Sequence, residues 1–373
     1  MIEQRPFPLQ LLEQSLSEKL AYFKNITVGH NNLQRVVNEL RINILEPSDT
    51  SVFIIIGVTG VGKTTLRKRL EKILVDDLLE HLLSNPGQIA VASLEAIPPT
   101  NSKFDHADYY IKALEALNEV LIKYKVDYDI PNAKSQDSKS SDSSFSKNTS
   151  SLRRSMEKVF INRQLRAFMV DEAQHLFATA GGHQLLSQMN WIKSLANITK
   201  TVHILFGTYE LLNCSTVSGQ IGRRSEDIHI SRYHKNCQED VKEFNRIIRI
   251  LEGHLPLLKK PQLEKHSEYL IDYSVGCVGS LKSWLVRALR NCIENNDMTL
   301  TSKHLKKTEL SPSRRKQIRE EAKAGEKRFA VLTKDDDISA TDVQTQQTTQ
   351  SNSRNQAVGQ RNPMRDTVGN ESV

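Results

Sequence analysis

The run Gly57-Val58-Thr59-Gly60-Val61-Gly62-Lys63-Thr64 has the spacing G-x-x-x-x-G-K-[ST] and follows directly on Val52-Phe53-Ile54-Ile55-Ile56. Residues of these types in this order hold the phosphates of a nucleoside triphosphate. Glycines let backbone N–H groups converge on phosphate oxygens at a helix N-terminus. The lysine neutralises the β and γ phosphates, and the Thr64 hydroxyl is offered to Mg²⁺. The expected nucleotide-binding set is therefore Gly57, Val58, Thr59, Gly60, Val61, Gly62, Lys63, Thr64 and the adjoining Thr65, with ATP and Mg²⁺ as cofactors. A second cluster lies at Asp171-Glu172, where the hydrophobic run Leu165–Val170 ends in two acids. In this setting Asp171 supports the Mg²⁺ shell and Glu172 polarises the attacking water. An ordinary strand followed by a solvated acidic turn has the same letters. The acids continue as Asp-Glu-Ala-Gln, which raises a DEAD-box-like helicase, but too little sequence remains to build the second motor domain such an enzyme needs.

Three further positions bear on hydrolysis. Arg223-Arg224 stands where a ring-forming ATPase presents an arginine to its neighbour's γ-phosphate; two arginines solvating a loop are the alternative. Thr208 ends an apolar strand and either orients the attacking water or merely terminates the strand. In Gly279-Ser280-Leu281-Lys282, the lysine stands where a helix following the core reaches back to the phosphates, or it faces solvent at a helix N-terminus. Lysine there keeps the charge of an arginine but loses its bidentate fork.

These residues need elements to position them. The β-branched run 52–56 predicts a buried strand, and Leu66, Leu70, Ile73, Leu74, Leu78 and Leu82 predict the helix behind the glycine loop. Further strands are expected at 89–94, 165–170 and 202–206, and helices from His106 to about Lys123 and over Gln184–Leu195. Strands alternating with helices around a phosphate loop predict an α/β fold, a parallel sheet with helices on both faces. The expected organisation is a helical lead-in over 1–50, an ATPase core over 51–235 and a helical lid over 236–300. A basic helix then a Gln/Thr/Asn/Ser-rich, disordered tail occupies 301–373. Residues 132–151, rich in serine, read as a flexible insertion in the core.

Composition sets outer limits. The chain has 373 residues, enough for one ATPase core, its lid and extra segments. A formal net charge of +7 suits a nucleic-acid partner without requiring one. The four cysteines show no paired spacing and read as reduced thiols of a cytoplasmic protein. His229, His234 and Cys237 lack a fourth ligand at zinc spacing. Met1–Pro6 lacks the layout of a signal peptide, and no apolar run approaches the ~18 residues of a membrane span.

Taken together, Gly57–Thr64, Phe168–Ala173, Leu205–Leu211 and Gly276–Leu285 resemble the TnsC/TniB group of AAA+ transposition regulators, with MuB a more distant relation. Leu94–Pro98, Tyr110, Ala113-Leu114 and Leu117–Glu119 are similar as well, so the resemblance spans roughly residues 25–300. It implies an AAA+ core with a C-terminal helical lid, and an ATPase that assembles on duplex DNA as a ring or helical filament in a prokaryotic cytoplasm. Such a homo-oligomer links a TniQ/TnsD-like targeting protein, sometimes with a CRISPR complex, to a DDE transposase. ATP binding favours assembly, and hydrolysis favours release. Members grip the DNA backbone at places that hold Lys103, Arg153 and Arg154 here; the same three residues serve equally as solvated surface charges. Residues 301–373 then form a partner-docking, DNA-clinging or solubilising tail. Two other readings share the phosphate loop. One is a signalling or defence ATPase that acts on protein partners without DNA. The other is an initiator or clamp-loader-like ATPase, for which the sequence shows no DNA-reading signature.

Overall fold

The isoleucine- and valine-rich run at 52–56 has no polar side chain to present to water, and it lies at the inside of the sheet. The structure, a computed structural model, describes residues 5–46, 49–99, 104–122, 141–178, 182–214 and 224–345. In chain order the elements are α1 (Leu16–Asn25), α2 (Asn31–Leu45), β1 (Val52–Ile56), α3 (Lys63–Asp77), α4 (Leu79–Ser84), β2 (Val91–Glu95), α5 (His106–Ala116) and α6 (Ser141–Asn162). They continue as β3 (Ala167–Asp171), α7 (Gly182–Thr199), β4 (Val202–Gly207), β5 (Ser225–His229), α8 (Gln238–Gly253), α9 (Ser267–Tyr273), α10 (Val278–Glu294), α11 (Ser302–Thr308) and α12 (Pro312–Thr345).

The five strands form one sheet in the order β2-β3-β4-β1-β5, and every pairing is parallel. β1, β3 and β4 are buried along their whole length, as continuous apolar runs in a covered parallel sheet must be. Each fully buried isoleucine or phenylalanine there contributes about 1.5–3 kcal/mol of burial free energy. The register sets Ile56 beside both Gly207 and His229, and Glu95 beside Asp171. All strands therefore end along one edge. β1 lies between β4, reached through β2 and β3, and β5, so the strand order reverses at β1, where open parallel sheets bind ligands.

A second core lies among α8, α9, α10 and α11, where Phe244, Ile248, Leu251, Trp284, Leu285 and Leu289 are buried together. Leu20 and Phe23 of α1 belong to that cluster, whereas α2 packs on α3 beside the sheet. The lead-in expected over 1–50 is thus divided between the lid and the core. α1 starts at a capping box: the Ser15 side chain accepts from the Glu18 N–H, and the Glu18 carboxylate accepts from the Ser15 N–H at 2.9 Å.

One expectation needs correction. The helix predicted from His106 to Lys123 stops at Ala116, because Asn118 and Leu121 take positive φ values of 54° and 55° that no helix continues through. Of the Ser-rich stretch 132–151, residues 141–151 form the first half of α6, continued by the apolar face of Leu152, Met156, Val159 and Phe160; residues 132–140 lie outside the described residues. The helix α12 runs to Thr345; the remaining tail, 346–373, lies outside the described residues. No described helix is long and apolar enough to cross a membrane.

Candidate nucleotide-binding and hydrolysis site

The glycine loop joins the end of β1 to the start of α3. Gly60 and Gly62 hold φ of +83° and +117°, a backbone that side chains rarely adopt, so glycine at both is a condition of the turn. Lys63 is the first residue of α3 and is buried. Its Nζ donates to the carbonyls of Gly57 at 2.9 Å and Val58 at 3.2 Å, which bends the ammonium back over its own loop. Burial pushes the Lys63 ammonium below the usual lysine range, while Glu172, Asp171 and Glu321 act against that shift. Thr64 is exposed on the first turn of α3, and Thr65 is half-buried.

The sheet brings the acids to the same edge. Asp171, the last residue of β3, is buried; its Oδ1 accepts from the Glu172 N–H at 3.0 Å and its Oδ2 from Arg67 Nε at 3.3 Å. Arg67 also donates to Glu71 and Ser93. Glu172 has φ 51° and ψ 36°, the left-handed region, which costs a residue with a Cβ about 1–2 kcal/mol. Strain of this kind persists only where the surroundings hold it. Here the Glu172 carbonyl accepts from the His175 N–H at 3.0 Å and its carboxylate accepts from Gln174. Thr208 follows β4 at the same edge, and its Oγ1 is buried with no hydrogen-bond partner among the described residues. The N–H of Gly57 bonds the Gly207 carbonyl at 3.3 Å, which ties the loop to the end of β4.

The lid reaches the loop directly. At the start of α10 the Gly279 N–H donates to the Gly60 carbonyl at 2.9 Å, and a Cβ on Gly279 would stand 2.6 Å from that oxygen. A narrow cleft of about 40 Å³ opens beside the loop, lined by Ile26, Val28, Leu33, Val61, Thr65, Val278 and Lys282. Its walls come from the stretch between α1 and α2, from the loop and from the lid, and most of them are apolar.

Lys282 lines that cleft, but its Nζ donates to the backbone carbonyl of Lys24 at the end of α1 rather than reaching for the loop. The reason is packing: α1 lies against α10 and sets its unpaired C-terminal carbonyls beside the lysine. Arg224 does not join the site of its own chain. It is exposed at the start of β5, and its carbonyl accepts from the Ser51 N–H at 3.1 Å, at the opposite end of the sheet from the loop. Arg223 lies outside the described residues, as does Lys103. Arg153, half-exposed on α6, pairs with Glu157 at 2.8 Å, and Arg154 is exposed one residue on.

Sequence reasoning did not single out Arg67, Gln174 or Glu321. Arg67 stands four residues after Lys63 on α3, and that helical spacing is a usable signal. Gln174 stands two residues after Glu172. Nothing in the sequence points to Glu321 of α12, which lies within electrostatic reach of Lys63 and whose carboxyl burial pushes up. That helix seats by Gly325 against the Tyr209 ring, by Glu326 on Arg232 at 2.7 Å and by Phe329 stacked on His229.

With loop, acids and lid at one edge of a sheet of this strand order, residues 46–214 match the family model for the AAA domain. That part of the chain is similar to the AAA domain. It has the AAA+ P-loop fold, and its chemistry is that of an ATPase. No curated protein sequence matches the chain. Among solved structures it is similar to the ORC2 protein of Aeropyrum pernix, described in ADPNP–ADP complexes, at 13% identity and a TM-score of 0.51, over 78% of this chain and 72% of that one. It is also similar to the ORC1 protein of Aeropyrum pernix in complex with DNA, at 15% identity and a TM-score of 0.45, over 78% of this chain and 67% of that one. At 13% identity the likeness to the ORC2 protein shows a shared fold and nothing further.

Proposed function

We propose that this AAA ATPase is a nucleotide-dependent switch of transposition that binds duplex DNA as a homo-oligomer. In its triphosphate state it links a targeting protein of the TniQ/TnsD kind to a DDE transposase, and it leaves the DNA after hydrolysis. The observation that carries the switch is the direct bond between Gly279 of the lid and Gly60 of the loop. Whatever occupies the loop must bear on the lid, so nucleotide state and lid position are coupled. The narrow apolar cleft beside Thr65 suits the base of a nucleotide once α10 and the stretch after α1 part. The DNA and transposition parts rest on the net positive charge and on the motif resemblance to TnsC/TniB regulators.

In this reading Lys63 leaves its loop carbonyls to meet phosphate charge, and Glu172 takes a proton from the attacking water. Arg224 serves a neighbouring copy. The hydroxyl of Thr64 and the carboxylate of Asp171 are hard oxygen donors of the kind Mg²⁺ takes, and they would hold that ion, which supplies charge neutralisation at the phosphates. Arg67 now occupies one Asp171 oxygen and would yield it.

The test is an anisotropy titration of random-sequence duplex DNA with ATP, a slowly hydrolysed analogue, ADP or no nucleotide, in wild type and Lys63→Ala. Tight, steeply salt-dependent binding only with a triphosphate, lost in Lys63→Ala, is the expected result. Absence of DNA binding in every nucleotide state would instead leave an ATPase switch that acts on protein partners.

A further inference from the structure

One buried amide joins the ends of β3 and β4. Gln174 is 7% exposed and lies in the 3-10 turn that follows β3. Its Nε2 donates to Glu172 Oε2 at 2.6 Å, and its Oε1 accepts from the Thr208 N–H at 3.4 Å. The partners settle which end of the amide is which. An ionised carboxylate only accepts and a backbone N–H only donates, so turning the amide over would break both bonds. The end of β4 is shaped to admit it: a Cβ on Gly207 would stand 2.6 Å from Gln174 Oε1 and 2.6 Å from Leu211 Cδ1. Glu172 also needs a holder, since its left-handed backbone turns the residue out of line with β3.

We infer that Gln174 is a positioning residue for hydrolysis: it fixes the Glu172 carboxylate and couples it to Thr208, so that a shift at the tip of β4 moves the base. Gln174 itself touches no reacting atom in this scheme. The inference rests on the reading of Glu172 as the group that activates water. It adds a specific consequence: losing the donor to Glu172 alone costs hydrolysis, even with the bond to Thr208 kept. Gln174→Glu keeps the length and the acceptor for the Thr208 N–H, but sets a second carboxylate against Glu172. Gln174→Met keeps the shape and removes both bonds.

The experiment measures steady-state ATP hydrolysis and fluorescent-nucleotide affinity for the full chain, in wild type, Gln174→Glu, Gln174→Met and Glu172→Gln. Expected for both Gln174 variants is a fall in kcat of about 10- to 100-fold, the scale on which a misplaced catalytic group costs rate. KM and nucleotide Kd should stay within about twofold of wild type, because the lost interaction acts on the transition state. If Glu172→Gln is inactive while both Gln174 variants turn over normally, the positioning role is wrong and Glu172 keeps its own. If Glu172→Gln turns over like wild type, the reading of Glu172 itself fails and carries this inference with it. If both Gln174 variants lose nucleotide affinity and their thermal transition along with kcat, Gln174 serves folding only, and the inference is overturned.

Discussion

At the scale of single residues, the site is an arrangement of charges that the fold has drawn close and left partly unanswered. Lys63 is buried against two carbonyls, Asp171 is divided between a backbone N–H and Arg67, and Glu172 is held in a left-handed turn. In the proposed reading Lys63 meets phosphate charge, and Glu172 acts on water and does not bind nucleotide. Glu172→Gln is therefore expected to bind ATP as wild type does while hydrolysis falls by about 10²–10⁴, the usual worth of a general base. On DNA the variant should remain assembled with ATP present, and prompt release from DNA would remove Glu172 from the hydrolytic step. The lysine, the threonine after it and the two acids were legible as a set, because each is fixed by spacing from a glycine loop or by the end of an apolar run. Gln174 was legible only as a letter beside the acids. Its role depends on the tip of β4 lying alongside the tip of β3, which no local pattern encodes.

At the scale of elements, the parallel register decides what each arginine can reach. Val52 pairs with Ser225, so Arg224 immediately precedes β5 at the end where β1 also begins. The length of a five-residue strand, about 17 Å at 3.3–3.4 Å per residue, separates it from the loop, more than an arginine side chain spans. Within its own chain Arg224 cannot reach the loop, so the proposed role on nucleotide requires an interface between copies. Arg224→Ala should retain the nucleotide Kd of wild type and lose about 10³-fold in the hydrolysis rate of the assembly. Mixing it with Lys63→Ala should restore part of the rate, since one copy then supplies an intact loop and the other an intact arginine. Recovery that fails on mixing would place the defect elsewhere, and a loss seen in Arg223→Ala alone would assign the role to its neighbour. Strand positions were readable from β-branched runs. The N-terminal helices were readable as helices, but their division between lid and core was not, since both have one apolar face and only the tertiary fold supplies two different partners.

At the scale of the whole molecule, two buried histidines make stability depend on pH. His203 of β4 packs beside the Phe160 and Phe168 rings, and its Nε2 has no partner among the described residues. His30 bonds the Tyr233 hydroxyl at 2.9 Å where the stretch after α1 meets the lid. Burial pushes both imidazoles down to about 4 from an ordinary 6.5; at His30, Arg246 and Arg69 add to this and Glu243 opposes it. Between those two values the unfolded chain binds more protons than the folded one. Stability is therefore full above about pH 6.5 and is lost as pH falls toward 4, by on the order of 3 kcal/mol for each ring. Thermal melts across that window should show the midpoint falling with acidity, and His203→Leu should flatten the curve; an unchanged slope would remove His203 as a cause. The sequence by itself determined the chemistry and the class of fold. A phosphate loop, an acid pair after an apolar strand and alternating strand and helix patterns are local in the chain, and their spacing is set by backbone geometry. Only the tertiary structure decided that Lys282 turns to the carbonyl of Lys24, that α1 belongs to the lid and that α12 lies with Gly325 on Tyr209 and Glu321 near Lys63. Those contacts join residues far apart in the chain, and which of several possible partners each apolar face or charge meets is fixed by packing, not by spacing.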